Sequence, residues 1–365
     1  MNGAKMAPKR VLLLGLMSLA LPLACGRSNG ISRATMEQIR QAQARWLTVD
    51  AHVGAEVTAR VLSQMKKGGL DAAFFVVSVP QDDPTPDGYA RARATTLEAL
   101  RRLRLGIEER WNLIGLASSP NDAYRLKKEG RLAAYIGLEN GYAIGPDASL
   151  LAKYREEGVC CLSLCGNRDN LICDSALDQA DPEDHGLSEF GKEVVAECNR
   201  LGMILDISNC SKNSIFDVLK ASLSPVIVSR AAAWAICRAP GNLTDEMIRA
   251  IAAKGGVIMI CLDPERLVAA SGSRAATVAD VVDHIDHVVK ISGDEAVGIG
   301  SGFGSGGGIS GCDSPRELLG LTIELLRRGY GEHSAEAIWG GNVMRVVRTA
   351  QDGAGSAPSG NRHAQ

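Results

Sequence analysis

Between Gly186 and Ile260 the apolar positions switch between two periods. Segments with apolar residues at helical spacing (Val194, Val195 and Cys198; Ile215, Val218 and Leu219; Met247, Ile248 and Ile251) alternate with short continuous apolar runs, MILDIS, PVIVSR and GVIMIC. A helix packed on a core needs only one apolar stripe, whereas a parallel strand buried on both faces needs an unbroken run, so this stretch reads helix then strand, three times over. The alternation continues on both sides. Upstream lie WLTVDAHV, LDAAFFVVSV, RLAAYIGLE and VCCLSLC, and downstream lies AVGIGS, each followed by helical sequence. Eight strand–helix units predict an α/β fold, a (β/α)8 TIM-like barrel over residues 46–350. Residues 26–45 read as a polar linker or short helix, and residues 351–365 as a disordered tail.

Chemistry in such barrels collects at the C-terminal ends of the strands. The residues expected there are His52, Val79, Glu139, Gly166, Asn209, Arg230, Cys261 and Gly302.

The first 25 residues follow another pattern. A basic start, MNGAKMAPKR, precedes an apolar run of about 13 residues, too short to span a bilayer comfortably and suited to a signal peptide. The run ends in LPLAC, similar to a lipoprotein cleavage box, which makes Cys25 a candidate for lipidation and predicts an exported, periplasmic or extracellular protein with membrane contact only through an N-terminal lipid. The formal net charge is −2. Removing the leader removes three cations and no anion, leaving about −5, a balance that offers nothing to nucleic acid.

Ten cysteines are present. Without Cys25 the number is odd, and Cys160, Cys161, Cys165, Cys198, Cys237 and Cys261 sit inside apolar strand or helix patterns, where cysteine serves as a small hydrophobe. No CxxC or Cys/His spacing appropriate to zinc occurs, so packing is the expectation for the thiols, with disulfide or metal roles as the alternative.

Several landmarks together, DAHVGAE, IGLENGYAIG, CLSLCGN, ICDS with HGLSEFG, LGMILDISNCS, VIVSRAAAWAICRAPGNLTDEMIRAIAAKGGV, VDHIDHVVK with VGIGSGFGSG, and GGNVMRVV, resemble the membrane (renal-type) dipeptidase family from about Val49 to Val347. The resemblance implies a TIM-like barrel, two zinc ions, dipeptide hydrolysis and, by family habit, a homodimer. It also implies a ligand set that this chain mostly lacks. Of the family's metal positions, His52 and Glu139 are retained. The Asp of the HxD pair corresponds to Gly54, the strand 5 and strand 6 histidines to Asn209 and Arg230, the substrate-contacting His to Gly166, the catalytic Asp to Gly302, and the substrate-binding Arg to Gly241.

A catalytic zinc needs about three protein ligands plus a water, and a two-metal site needs more. Glycine supplies no donor, and arginine places a fixed cation where a dication would sit. Asp50 shares a strand face with His52 but adds at most a third group. The expectation is an exported homologue with no cofactor and a decayed metal centre that binds a peptide or amino-acid-like ligand or acts as a scaffold. The alternative is an active dipeptidase with an atypical or single zinc held by His52 and Glu139. Loss of metal leaves Glu139 to be protonated, solvated or paired, and Arg230 is the expected partner. Gly302, Gly304 and Gly307 fit GxGxxG, but no following strand ends in an acid, so a nucleotide site is not expected. His284 and His287 read as surface or packing residues.

Overall fold

The computed structural model describes residues 32–178, 184–269 and 274–354. The proposed signal segment with Cys25 lies outside them, as does most of the expected tail. Nine parallel strands form one sheet: β1 (Val49–Val53), β2 (Ala72–Ser78), β3 (Ile114–Leu116), β4 (Leu132–Glu139), β5 (Val159–Ser163), β6 (Ile204–Asp206), β7 (Ile227–Ala231), β8 (Val257–Ile260) and β9 (Val297–Ile299). Eight run in the order β1-β2-β4-β5-β6-β7-β8-β9, while β3 pairs with the start of β4 off that path. Closure comes just beyond β9, where the Gly54 N–H donates to the Phe303 carbonyl (2.8 Å) and the Gly302 N–H to the His52 carbonyl (2.9 Å). The result is the expected barrel, plus one short strand.

Helices α1 (Arg33–Arg45), α2 (Ala59–Gly68), α3 (Pro86–Glu108), α4 (Pro120–Lys128), α5 (Leu150–Glu156), α6 (Glu189–Leu201), α7 (Lys212–Ala221), α8 (Asp245–Ala253), α9 (Pro264–Leu267), α10 (Val278–Ser292), α11 (Leu319–Arg327), α12 (Glu332–Glu336) and α13 (Asn342–Asp352) accompany the strands. Their starts are written in the sequence. Thr58, Thr85, Ser119, Ser188, Ser211 and Thr244 each accept a first-turn backbone N–H through the side-chain oxygen, satisfying a donor that the helix itself cannot. The expected 26–45 segment contains α1, which packs on the barrel through Ile39 against Leu319 and Leu326 and through Gln43, whose amide donates to the Gly68 carbonyl. None of the described helices is long and apolar enough to cross a membrane.

Alternation along the strands sorts the core into two sets. Val49, Ala72, Phe74, Ala133, Tyr135, Ile204, Ile227, Val257 and Met259 pack together and against Val343, Met344, Val346 and Val347 of α13. Within this set Phe74 and Tyr135, register partners across β2 and β4, stack at 4.7 Å. The same alternation carries Val76, Ser78 and Glu139 onward to the C-terminal mouth, where all three line a cavity.

Just before α13 the chain makes a wide π turn, Ala337–Gly341, against β1. A Cβ on Gly340 would collide with the Leu47 carbonyl and crowd Val49 Cγ2. Because the obstacle is backbone, Gly340→Ala is expected to destabilise by about 2 kcal/mol through overpacking. Urea unfolding should show a lower midpoint at unchanged slope, and an unaltered midpoint would contradict this packing.

Candidate functional site at the barrel mouth

The mouth encloses about 1090 Å³, lined by Glu139, Asn209, Arg230, Asp263, Arg266 and Ser305 among others. Its floor is a hydrogen-bonded polar belt. Asp206, at the end of β6 and 1% exposed, accepts from the hydroxyls of Ser163 (2.5 Å), Ser208 (2.6 Å) and Ser229 (2.6 Å) and from the backbone N–H groups of Ser208 and Ser229. Three consecutive barrel segments are thereby tied to one carboxylate. On β1, Asp50 accepts from the Ser301 hydroxyl (2.5 Å), the Ser301 N–H and the His52 N–H. Burial nevertheless raises its pKa to about 6, against the lowering effect of those donors. Its carboxylate is therefore committed to the β9 end.

The belt also fixes the ring of His52. Nδ1 lies 3.0 Å from Ser229 Oγ, and the single Ser229 proton is already given to Asp206. Nδ1 must then carry the hydrogen and donate it, which leaves Nε2 as a lone pair. Nε2 is buried and has no partner among the described residues. Burial lowers the His52 pKa, with Glu139 opposing and Arg230 reinforcing the shift, so the ring stays neutral at neutral pH. Glu139, half-buried, receives no hydrogen bond at its carboxylate from any described residue.

Above this floor, neighbours fill the space beside the glycines at 54, 166, 241 and 302. A Cβ on Gly54 would run into Ser305 Oγ. One on Gly166 would lie 3.1 Å from Asn140 Nδ2, and one on Gly302 would lie 3.3 Å from Arg230 Nε. At Gly241 it would meet Arg266 Nη1 at 2.5 Å. Two guanidinium groups thus occupy space that a side chain at 241 or 302 would need.

These cations are organised by Asp263, three residues beyond β8. Arg230 gives it Nε (2.8 Å) and Nη2 (2.6 Å), while Arg266 Nε stands 3.6 Å away. Arg266, 8% exposed, also donates Nη2 to Asn209 Oδ1 (2.7 Å). Its Nη1 is buried without a partner among the described residues. Asn209 holds a left-handed conformation (φ 63°), which Asn tolerates better than most residues.

The expected pairing of Arg230 with Glu139 is therefore corrected: Arg230 turns to Asp263, whose side chain is only 9% exposed and so in greater need of a cation than the half-open Glu139. Asp263, Arg266 and Ser305 were not among the expected site residues, although an Asp-Pro opening a helix three residues past a strand end is a readable signal. Gly302, Gly304 and Gly307 belong to the loop that closes the barrel after β9. His284 is fully buried, accepting the Ala233 N–H at Nδ1 and facing the Leu267 carbonyl at Nε2, while His287 Nε2 lies 2.8 Å from Asp245. Among the described residues, the one place where three or more His, Cys, Asp or Glu donors converge is not the mouth but Cys165, Cys173 and Cys210.

Comparison with known proteins adds kinship. The family model described as "Membrane dipeptidase (Peptidase family M19)" matches residues 34–360. The dipeptidase tcpJ of Claviceps purpurea is 31% identical over 307 residues, 81% of this chain and 70% of its own length. Dipeptidase 3 of Rattus norvegicus is 31% identical over 294 residues, 80% of this chain and 58% of its own. Among solved structures, the probable dipeptidase PvdM of Pseudomonas aeruginosa superposes with a TM-score of 0.83 at 25% identity, covering 89% of this chain and all of that one.

The new pairing is open to test by double-mutant cycles in urea. Arg230→Ala should cost about 2 kcal/mol, less than a fully buried pair because the arginine side chain is 19% exposed. Combined with Asp263→Ala it should show a coupling of about 1 kcal/mol or more, whereas the cycle with Glu139→Ala should stay below about 0.5 kcal/mol. Larger coupling to Glu139 than to Asp263 would reverse the assignment.

Proposed function

Because the chain belongs to the membrane dipeptidase family, we propose that its barrel mouth keeps the family's taste for small peptide-like molecules but binds them through guanidinium groups, without two-zinc hydrolysis. The observation that carries this reading is the seating of Arg266 and Arg230 over Gly241 and Gly302, with Ser305 over Gly54. The donor set does not fit two zinc ions. His52 Nε2 and Glu139 remain, the Asn209 oxygen is taken by Arg266, and the Arg230 cation stands where a histidine is implied. Two donors fall short of the three or more that a catalytic zinc requires.

The same arrangement suits a zwitterion. Arg266 Nη1 has hydrogens to give and no acceptor among the described residues, so a ligand carboxylate would satisfy a group that is otherwise costly to bury. Glu139, which receives no donor from the described residues, is the complementary group for a ligand ammonium. The cavity, at about 1090 Å³, lies at the upper end of the range for small-ligand sites.

One observation favours a second reading, in which a single metal supports residual hydrolysis: the His52 lone pair is pre-oriented by Ser229 and left unpartnered near Glu139. The two readings separate in one experiment. Purified protein, treated with chelator, is titrated by calorimetry with a dipeptide and with its C-terminal amide, and zinc content and dipeptide turnover are measured alongside. Binding should survive chelation, and the amide or Arg266→Met should weaken it roughly ten- to a hundredfold, the value of a charge-assisted hydrogen bond. Two tightly held zinc ions with zinc-dependent turnover would overturn the proposal, and one such ion would favour the second reading.

We also propose export with processing near Cys25, from the basic start and the short apolar run. Mass spectrometry of the mature N-terminus in the native host should find neither Met1 nor the apolar run. An intact Met1 would contradict export, and an unmodified new N-terminus would remove lipidation only.

A further inference from the structure

Three thiols meet beneath the rim of the mouth. Cys165 lies two residues past β5, Cys210 four residues past β6, and Cys173 in the loop between β5 and α6. Their exposures are 0, 3 and 1%. Cys210 Sγ is 3.7 Å from Cys165 Sγ and 3.8 Å from Cys173 Sγ, and all three sulfurs lie within 4.8 Å of one another. We propose that Cys165, Cys173 and Cys210 form a binding site for a thiophilic d10 metal ion, Zn²⁺ or Cu⁺, separate from the mouth and independent of the function proposed for it.

The spacing fits one shared ion. Sulfur ligands about 2.3 Å from a common centre stand about 3.8 Å apart in a tetrahedral array and about 4.0 Å apart in a trigonal one. The carbonyl oxygen of Asp174, 3.9 Å from Cys165 Sγ, already accepts from the Ser211 N–H and the Ser214 hydroxyl, so the protein supplies three sulfur ligands and any fourth comes from solvent. The soft donor set selects zinc or cuprous ion over magnesium, calcium or manganese.

The backbone around the trio is pinned as a ligand site requires. Asn170 donates to the Leu164 carbonyl and accepts from the N–H groups of Ile172 and Cys173. The Ser175 hydroxyl donates to the Gly166 carbonyl, the Ala176 N–H to the Asn209 carbonyl, and the Ser211 N–H to the Asp174 carbonyl. Each of the three cysteines thus lies within a few residues of a fixed anchor, although they come from separate stretches of chain. Binding needs no oxidant or reductant: the ion displaces the thiol protons to solvent and forms metal–sulfur bonds.

The test uses full-length protein, reduced and kept anaerobic. Zn²⁺ and, in a second arm, Cu⁺ are titrated against a chromophoric chelator, and Co²⁺ serves as an optical probe. One equivalent should be retained, with an intense thiolate-to-cobalt charge-transfer band that the chelator-treated protein lacks. Cys210→Ser should weaken uptake at least tenfold and abolish the band, while Cys198→Ser, a buried thiol outside the trio, and Glu139→Gln, at the mouth, should leave both unchanged. The cobalt spectrum of the unaltered protein reads thiolate ligation without any variant, so a folding failure of Cys210→Ser does not shelter the proposal. It is overturned by no retained metal, by uptake without a thiolate band, by loss of uptake in Glu139→Gln, or by a thiol count showing Cys210 in a disulfide.

Discussion

Two guanidinium groups converge on the carboxylate of Asp263, and the character of the barrel mouth follows from that arrangement. With its side chain 9% exposed, Asp263 cannot stand alone as an anion at reasonable cost. Arg230 meets it with two nitrogens. Arg266 approaches from the same short helix and spends its remaining reach on Asn209. A dication brought into this space would face cations already hydrogen-bonded in place, whereas an anion would face the unpartnered Nη1 of Arg266. On the function proposed here, the sign of the preferred ligand is set by this cluster rather than by the overall charge of the chain.

Beneath the cluster the barrel floor follows a separate logic. Asp206 gathers serines from three successive strand ends, and Asp50 ties β1 to the end of β9 through Ser301. These bonds satisfy buried carboxylates and hold the barrel ends together, which is a structural requirement whatever the mouth binds. The His52 ring is oriented as a by-product, since Ser229 has no second proton to offer. The histidine tautomer is thus fixed by the floor, whatever the mouth above it binds.

The barrel was legible in the sequence because strands buried on both faces write continuous apolar runs, and helices write their stripes and caps. What escaped was short or nonlocal. Ile114–Leu116 is too brief to show a period, and α13 reaches Asp352 because its apolar stripe continues through Ala350 into a stretch whose composition reads as disordered. The resemblance marked the glycines at 54, 166, 241 and 302 as candidate losses of side chains, but not that Ser305, Asn140, Arg266 and Arg230 fill the space beside them. Arg230 was recognised as a cation at the mouth and given the wrong partner, because Asp263 lies beyond its strand end and only the fold brings it to Arg230. Cys165, Cys173 and Cys210 follow no metal-binding spacing, since three separate segments of the barrel bring them together.

The central claim is that the mouth has exchanged dications for guanidinium groups. Anomalous diffraction at the zinc edge, from crystals grown with zinc in excess, tests it most directly. The account predicts no zinc peak between His52 and Glu139, with Arg230 and Arg266 still on Asp263. A pair of strong peaks there, with Arg230 swung away, would contradict it.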